Sequence, residues 1–396
     1  MLTTASAPAS NKRIDSIDVL RGIIMLVMAL DHVRDVFHLG GPDPTDLATT
    51  TPLLFFTRWI THFCAPNFVF LSGISAYLAG RRRTKKELSI FLIKRGIWLV
   101  LVEVLIINTV FELNFHFHLL VLQVIWAIGI SMILLGLMIW MPVELIGIIG
   151  LLIFCGHNLF DYFHISGILN ELLFTASGFG PVNIIHLDAS HNILDAYAVL
   201  PWTGVMLLGY FCGQCYQSTF DAARRQRLLL RISAILFITF LVLRYFNLYG
   251  DPAPWSQQKT IALSLISFFN VTKYPCSLLY LCMTLGAGIF LLAIAERIGN
   301  KLTRLFAMYG SVPFFYYILH FYLVRIFNII IFFTSGFKKA DIPARPLDFS
   351  FHPASFGFNL WGVYLVWLTV ICTLYIPCRW FSHYKKKHRK WWLSYL

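Results

Sequence analysis

Charged residues are scarce in this chain of 396 residues. Asp, Glu, Lys and Arg make up 13% of the sequence, against about 25% in an ordinary soluble domain. The apolar share is 58% and the mean hydropathy is +0.70, with apolar runs of roughly 20 residues recurring along the chain. This balance argues against a soluble enzyme, excludes disordered, collagen-like and coiled-coil chains, and indicates that lipid surrounds most of the surface.

Strand-like alternation of polar and apolar residues is also missing from the apolar runs. The strands of a membrane β-barrel would show that alternation, whereas a helix satisfies its own backbone hydrogen bonds in hydrocarbon. We therefore predict an all-α, polytopic membrane protein with about ten transmembrane helices. The expected spans are roughly 17–37, 63–80, 90–111, 119–140, 143–160, 197–216, 228–247, 276–295, 311–333 and 357–378.

Positive charge is concentrated between the expected spans and at the ends of those spans. Lys and Arg number 32 against 19 Asp and Glu, and such basic segments flank spans on the cytoplasmic side. We therefore predict cytoplasmic N- and C-termini and contact with anionic lipid. No nucleic-acid partner is expected, since no nucleic-acid-binding fold accompanies the basic runs. These runs lie at 12–13, 81–86, 94–95, 224–231, 297–304 and 379–390.

The expected domain organisation is simple. The loops between the spans are too short to form an independent domain. We predict a cytoplasmic N-terminal segment at 1–12, a single transmembrane domain at 13–382 and a basic cytoplasmic tail at 383–396.

The first expected span carries ionisable side chains at both ends. Arg21 and His32 are eleven residues apart, which is about 1100° of helical rotation, so they share a face about 16 Å apart along the axis. Asp18 lies on the same face, three residues before Arg21. Ionisable groups inside a span are energetically expensive and point to function.

Several motifs resemble those of a known family of membrane enzymes. Residues 13–22 read Arg-Ile-Asp-Ser-Ile-Asp-Val-Leu-Arg-Gly, and shorter motifs follow at Ala65–Gly73, Trp126–Gly129, Pro201–Gly209, Lys273–Tyr280 and Pro313–His320. The opening resembles heparan-α-glucosaminide N-acetyltransferase-like proteins and their bacterial relatives. The Arg-x10-His spacing from Arg21 to His32 resembles the motif of bacterial membrane acyltransferases.

The resemblance implies a transmembrane acyltransferase-like bundle in the bacterial inner membrane. Such a protein passes an acetyl group from cytoplasmic acetyl-coenzyme A, here the expected donor, to an extracytoplasmic sugar or envelope glycan. No metal is expected. Membrane lipids and the glycan are the expected partners, with a homodimer left open. The acceptor, the acyl chain length and the choice between direct transfer and a covalent acyl-enzyme also stay open.

Acyl transfer requires a base, a donor site and stabilisation of an oxyanion. We predict His32 as the base with Asp35 as its orienting carboxylate, and His62 as the runner-up, with His38 also open. The expected donor-binding residues are Arg21, Asp18, Arg82, Tyr316 and His320. The expected acceptor-binding residues are Asp31, Arg34, Arg58, Asn67 and Lys273, and the acceptor entrance is expected at His186, Asp188, His191 and Asp195.

Two other classes of function compete with an enzyme. A transporter or binding protein also places ionisable residues in its spans, and an Arg/His/Asp network can relay protons. A structural or assembly role is the third interpretation. Binding of acetyl-coenzyme A by the solubilised protein discriminates the enzyme from both.

Overall fold

The computed structural model describes residues 15–40, 43–112, 118–162, 184–188, 190–343, 351–388 and 390–394. The predicted N-terminal segment 1–12 lies outside these residues. Within them the chain is mainly α-helical, with one small three-stranded sheet. The prediction of a helical, polytopic membrane protein is confirmed.

Fourteen α-helices occur among the described residues. They are α1 (Asp15–Phe37), α2 (Pro52–Thr61), α3 (Cys64–Gly80), α4 (Lys85–Val102), α5 (Asn108–Glu112), α6 (Val124–Met138), α7 (Val143–Gly156), α8 (Val199–Cys212), α9 (Ala222–Phe246), α10 (Ile261–Phe269), α11 (Leu278–Ala295), α12 (Lys301–Gly310), α13 (Pro313–Thr334) and α14 (Leu360–Lys387). A π-helical turn, Glu103–Ile107, joins α4 to α5. Side-chain caps begin several of the helices, as at Thr84 before α4 and Asp221 before α9.

Six segments of the described chain are long and apolar enough to cross a membrane. They are Pro52–Gly80, Val143–Tyr162, Ala222–Phe246, Leu278–Ala295, Pro313–Thr334 and Leu360–Lys387. Helix α1 carries too many charges to qualify by composition, and α6 and α8 have only 15 and 14 residues. The expected number of about ten spans therefore stays a prediction.

The outer surface of the bundle is apolar and the interior holds charge. Leu152, Ile235 and Ile376 are 68%, 62% and 74% exposed, whereas Asp31 and Arg34 are 8% and 4% exposed. Large exposed apolar side chains on spanning helices are the surface that lipid covers. This distribution agrees with an integral membrane protein.

One predicted span was wrong at its beginning. The span 119–140 starts with a strand, β1 (Leu119–Leu122), before α6. β1 pairs in parallel with β3 (Asn192–Asp195), which pairs antiparallel with β2 (Ile184–His186), so the strand order is β1-β3-β2. A short apolar run does not distinguish a buried strand from part of a helix.

The predicted boundary between the membrane domain and the tail falls inside a helix. Helix α14 continues across the predicted boundary at 382/383 and ends at Lys387. Trp392, beyond the helix, stacks on Tyr384, and Leu393 is 4% exposed. The described part of the tail therefore packs against the bundle.

Close packing between α1 and α12 positions the first charged residue of α1. A Cβ atom added to Gly22 would lie 1.9 Å from the carbonyl oxygen of Phe306, and one added to Gly310 would lie 1.9 Å from that of Asp18. Only glycine permits this approach, which is typical of membrane helix pairs. It brings the guanidinium of Arg21 to 3.4 Å from the carbonyl oxygen of Gly310.

The bundle has two chemically different ends. At the end that we call the basic end, Arg21 bonds to Ser75, Lys85 donates to the carbonyl of Trp140 and Arg225 pairs with Glu296. The opposite end of α1, which we call the histidine end, holds Asp31, His32 and the partners described below.

Candidate functional site

Two histidines from distant parts of the chain meet at the histidine end. The Nδ1 atom of His32, on α1, lies 2.7 Å from the Nε2 atom of His320, on α13. The Nδ1 atom of His320 lies 3.2 Å from the carbonyl oxygen of Tyr316, one turn earlier on the same helix. His32 also stacks on Phe321, with ring centroids 4.4 Å apart.

These contacts define the tautomers of the two neutral rings. A carbonyl oxygen only accepts, so Nδ1 of His320 carries the hydrogen and its Nε2 is an acceptor. His32 then donates from Nδ1 to His320, and its own Nε2 holds a lone pair. Nε2 of His32 has no hydrogen-bond partner in the part of the chain that the structure describes. A neutral imidazole with a lone pair of this kind can accept a proton from a substrate.

Asp31 organises a cluster of cations beside His32. Its carboxylate pairs with Arg58, lies 2.9 Å from Arg34 and 4.0 Å from the ammonium of Lys273, and accepts a 2.9 Å hydrogen bond from the hydroxyl of Thr61. Four of the five predicted acceptor-binding residues, Asp31, Arg34, Arg58 and Lys273, therefore meet in one place. We call this group the Asp31 cluster.

The orienting role of Asp35 stays a prediction, because the structure shows a direct side-chain partner for Asp35 other than His32. Asp35 pairs with Arg34, its neighbour in sequence, and the hydrogen-bond partner of His32 is His320, which accepts from Nδ1 of His32. The carboxylate is drawn to the guanidinium, which offers it a charge-assisted hydrogen bond.

His62 and Asn67 occupy enclosed positions. His62 is 2% exposed, its Nδ1 atom has no partner among the described residues, and its carbonyl accepts a 2.8 Å hydrogen bond from the hydroxyl of Tyr280. The amide nitrogen of Asn67 donates to the carbonyls of Phe63 and Thr284. Asn67 therefore joins α3 to α11 and lies outside the Asp31 cluster, whereas His62 stays the alternative base.

His38, the third histidine left open, lies just past the end of α1. Its carbonyl accepts from Nε2 of His352 at 3.2 Å, and its backbone pairs with Phe358. His38 thus connects the end of α1 to the chain before α14.

A cavity of about 270 Å³ begins at the basic end. Three cationic residues, Arg21, Arg95 and Lys385, line it together with Ser72 and Ser75. Arg21 donates to Ser75 at 2.8 Å and pairs with Asp18 at 3.1 Å. Several cations around one cavity mouth suit a ligand with phosphate groups.

The cavity ends one helical turn from the two histidines. Met25 and Met28 of α1 line it, and Met28 precedes His32 by four residues. On α13 the lining includes Tyr317, three residues before His320. Residues three or four apart are neighbours on a helix face. The cavity therefore leads from the cations of the basic end toward His32.

Of the five predicted donor-binding residues, only Arg21 lines this cavity. Asp18 supports Arg21 and lines a second cavity of about 300 Å³, whereas Arg82 is exposed in the loop after α3. Tyr316 packs between Tyr309 and His320. His320 contacts His32, and its predicted role in donor binding stays a prediction.

Other residues of the site lacked a clear signal in the sequence. Arg95 and Lys385 looked like ordinary basic flanks of spans, and Tyr317 was one aromatic residue of an apolar helix.

Glu103 is fully buried in the π-helical turn, where its Oε1 accepts from the backbone nitrogen of Gln123 at 3.3 Å. An acidic residue within an apolar run was its only signal, and π-helical turns are frequent at functional sites.

The group predicted at the acceptor entrance lies on and beside the small sheet. Asp188 accepts from the backbone nitrogens of Ser190 and His191 in the turn between β2 and β3, while His186 bonds to Asn192. Burial raises the pKa of Asp195 to about 7, although one oxygen accepts from the backbone nitrogen of Tyr197 at 3.1 Å. Asp188 and His186 therefore stabilise the turn and the pairing of β2 with β3, and the acceptor entrance stays a prediction.

No group of His, Cys, Asp and Glu side chains suited to a metal ion occurs among the described residues. The absence of a metal stays a prediction, because part of the chain lies outside that description.

No curated protein matches the chain. The family described as heparan-alpha-glucosaminide N-acetyltransferase, catalytic, matches residues 13–245, which is more than half of the chain. The match contains Arg21 and His32, and ends before His320. The chain therefore belongs to the heparan-alpha-glucosaminide N-acetyltransferase catalytic family and is an integral membrane protein of the acetyltransferase type.

Proposed function

We propose that the protein transfers an acetyl group from cytoplasmic acetyl-coenzyme A to the amine or hydroxyl of an extracytoplasmic sugar or envelope glycan. The observation that carries this proposal is the cavity that leads from Arg21, Arg95 and Lys385 to one turn below His32. The family assignment supports the reaction type. It also favours an enzyme over a transporter or an assembly protein.

The donor is held at the basic end in this proposal. Arg21, Arg95 and Lys385 contact the phosphates of coenzyme A, since guanidinium and ammonium groups form charge-assisted hydrogen bonds with phosphate. The narrow arm of the donor lies along Met25 and Met28, which supply an apolar wall. The thioester then lies near Tyr317 and close to the histidine pair.

The acceptor is held at the histidine end. Asp31, with Arg34, Arg58 and Lys273 around it, offers both signs of charge to the hydroxyl groups and substituents of a sugar. Nε2 of His32 takes the proton from the attacking amine or hydroxyl. His320 holds the ring of His32 through Nδ1 and stabilises the imidazolium that forms.

Orientation follows from charge. The basic end faces the cytoplasm in this proposal, because Lys and Arg in the short loops between spans favour the cytoplasmic side. Acetyl-coenzyme A then reaches the cavity from the cytoplasm, and the acceptor reaches His32 from the opposite side of the bacterial inner membrane. Membrane lipids surround the bundle, and a homodimer stays a prediction.

The test is donor binding by the detergent-solubilised protein, measured by isothermal titration calorimetry with acetyl-coenzyme A. Arg21→Ala is expected to weaken binding by about tenfold or more, since charge-assisted hydrogen bonds contribute roughly 1.5–3 kcal/mol. Arg21→Lys is also expected to weaken it, because an ammonium lacks the bidentate geometry of guanidinium. Arg297→Ala, at an exposed position outside the cavity lining, is the matched control and is expected to bind like the wild type.

Equal affinities for acetyl-coenzyme A in Arg21→Ala, Arg95→Ala and the wild type would show that the donor does not bind in this cavity. Absence of any binding by the wild type would overturn the enzyme proposal and favour the transporter or assembly interpretation.

A further inference from the structure

The site described so far lacks a group that donates a hydrogen bond to the carbonyl oxygen of the acetyl group. Acyl transfer places negative charge on the carbonyl oxygen of the donor, and enzymes stabilise that charge with fixed N–H or O–H groups. Asn67 does not stabilise this negative charge, because its amide nitrogen already donates to two carbonyls. A different group has to lie beside the far end of the cavity.

Tyr317 has the required position. It lines the cavity, and its ring contacts that of His320 with centroids 5.6 Å apart. No other aromatic residue in the described chain combines a place in the cavity lining with a contact to the histidine pair. Tyr317 therefore lies beside both the donor cavity and the histidine pair.

The hydroxyl of Tyr317 is also unpaired. Tyr317 is 5% exposed, and its hydroxyl is buried with no hydrogen-bond partner among the described residues. A buried hydroxyl without a partner is energetically costly, so such a group is usually satisfied by water, an ion or a ligand. A carbonyl oxygen in the cavity would satisfy it.

We infer that the hydroxyl of Tyr317 donates a hydrogen bond to the carbonyl oxygen of the donor thioester, and that this bond strengthens as the oxygen becomes an oxyanion. This inference rests on the proposed function. It adds a catalytic residue beyond 245, outside the segment that the family match covers.

The chemical step balances with this assignment. The acceptor nitrogen or oxygen forms a bond to the acetyl carbon while its proton goes to Nε2 of His32. The carbonyl electron pair moves to the oxygen beside Tyr317 and then returns, breaking the carbon–sulfur bond. The electron pair of that bond leaves on sulfur, and the thiolate finally takes up one proton, equal to the one that the acceptor lost.

The hydrogen bond can be observed without knowing the acceptor. Acetyl-coenzyme A labelled with ¹³C at the acetyl carbonyl is bound to the solubilised full-length protein, and the carbonyl stretch is read by isotope-edited infrared difference spectroscopy. We expect a lower frequency in the wild type than in Tyr317→Phe, at saturating donor in both. Tyr309→Phe is the control, because its hydroxyl is a buried tyrosine hydroxyl that bonds to the carbonyl of Ile371, away from the cavity.

A second variant protects the test against misfolding. 3-Fluorotyrosine placed at position 317 keeps the ring and makes the hydroxyl a stronger donor, so the carbonyl frequency should fall further. In transfer assays with glucosamine as the acceptor, Tyr317→Phe should lower kcat by about 10²–10³-fold. The affinity for acetyl-coenzyme A should stay close to that of the wild type.

The outcomes separate the two proposals. Identical carbonyl frequencies in the wild type, Tyr317→Phe and the fluorinated protein would overturn the role of Tyr317 while donor binding itself stands. Failure of the wild type to bind acetyl-coenzyme A would overturn the proposed function, and this inference with it.

Discussion

The 2.7 Å contact between Nδ1 of His32 and Nε2 of His320 joins the first helix to α13 across the bundle. His32 lies within the segment that matches the family and His320 lies beyond it. The contact therefore makes the C-terminal part of the chain a component of the site. In the proposed reaction, Nε2 of His32 is then the atom that accepts a proton.

His32 and His320 should contribute unequally to transfer. His32→Ala removes the base and should lower kcat by about 10²–10⁴-fold. His320→Ala should lower it by less, since the base stays while its orientation is lost. Asp35→Asn should have the smallest effect, because Asp35 pairs with Arg34. The measurement is kcat at saturating acetyl-coenzyme A, and a larger loss in Asp35→Asn than in His320→Ala would support Asp35 as the orienting residue.

Asp31 should matter for stability as well as for the acceptor. Asp31→Asn leaves Arg58 and Arg34 buried with less compensation, and removing one partner of a buried ion pair costs about 3–5 kcal/mol. The thermal unfolding temperature in detergent should therefore fall clearly. Asp43→Asn, on an exposed turn where Asp43 bonds to Thr45, is the control. Equal unfolding temperatures in the two variants would show that the Asp31 cluster is not a stabilising element.

The orientation of the bundle can be read from two loop positions. Cysteines introduced by Asp43→Cys and Arg83→Cys are treated with a membrane-impermeant thiol reagent, in a background where Cys155 and Cys372, the exposed native cysteines among the described residues, are replaced. We expect labelling at position 43 in intact cells and labelling at position 83 only after permeabilisation. The reverse pattern would place the basic end outside.

Asp195 should give the sheet a pH dependence. Burial raises the pKa of this carboxyl from its ordinary 3.8 to about 7 in the folded protein. Between these values the folded state binds more protons than the unfolded state, so stability falls as pH rises. The unfolding temperature of the wild type should decrease across this window, and that of Asp195→Asn should decrease less. Parallel curves would mean that Asp195 ionises normally.

Composition and apolar run length predicted the membrane class because they report the solvent of the protein directly. Helical arithmetic placed Arg21 and His32 on one face of α1, and the charges around Asp31 were all identified from their positions at span ends. These inferences succeed because they depend on one helix or on the membrane boundary.

Contacts between distant elements were beyond such reasoning. The pairing of His32 with His320 spans 288 residues of sequence, and no local pattern specifies it. Arg95 and Lys385 meet Arg21 only because α4, α14 and α1 converge around one cavity. The strand β1 was hidden in an apolar run, since its partner β3 lies far along the chain.

In the proposed function, one protein passes an acetyl group from a donor at the basic end to an acceptor at the histidine end. The most direct measurement uses sealed proteoliposomes with glucosamine trapped inside and radiolabelled acetyl-coenzyme A added outside. We expect N-acetylglucosamine to accumulate in the lumen without entry of the donor, and we expect Arg21→Ala and His32→Ala to reduce this accumulation strongly. Product formed only when donor and acceptor share the same compartment would contradict the proposed function.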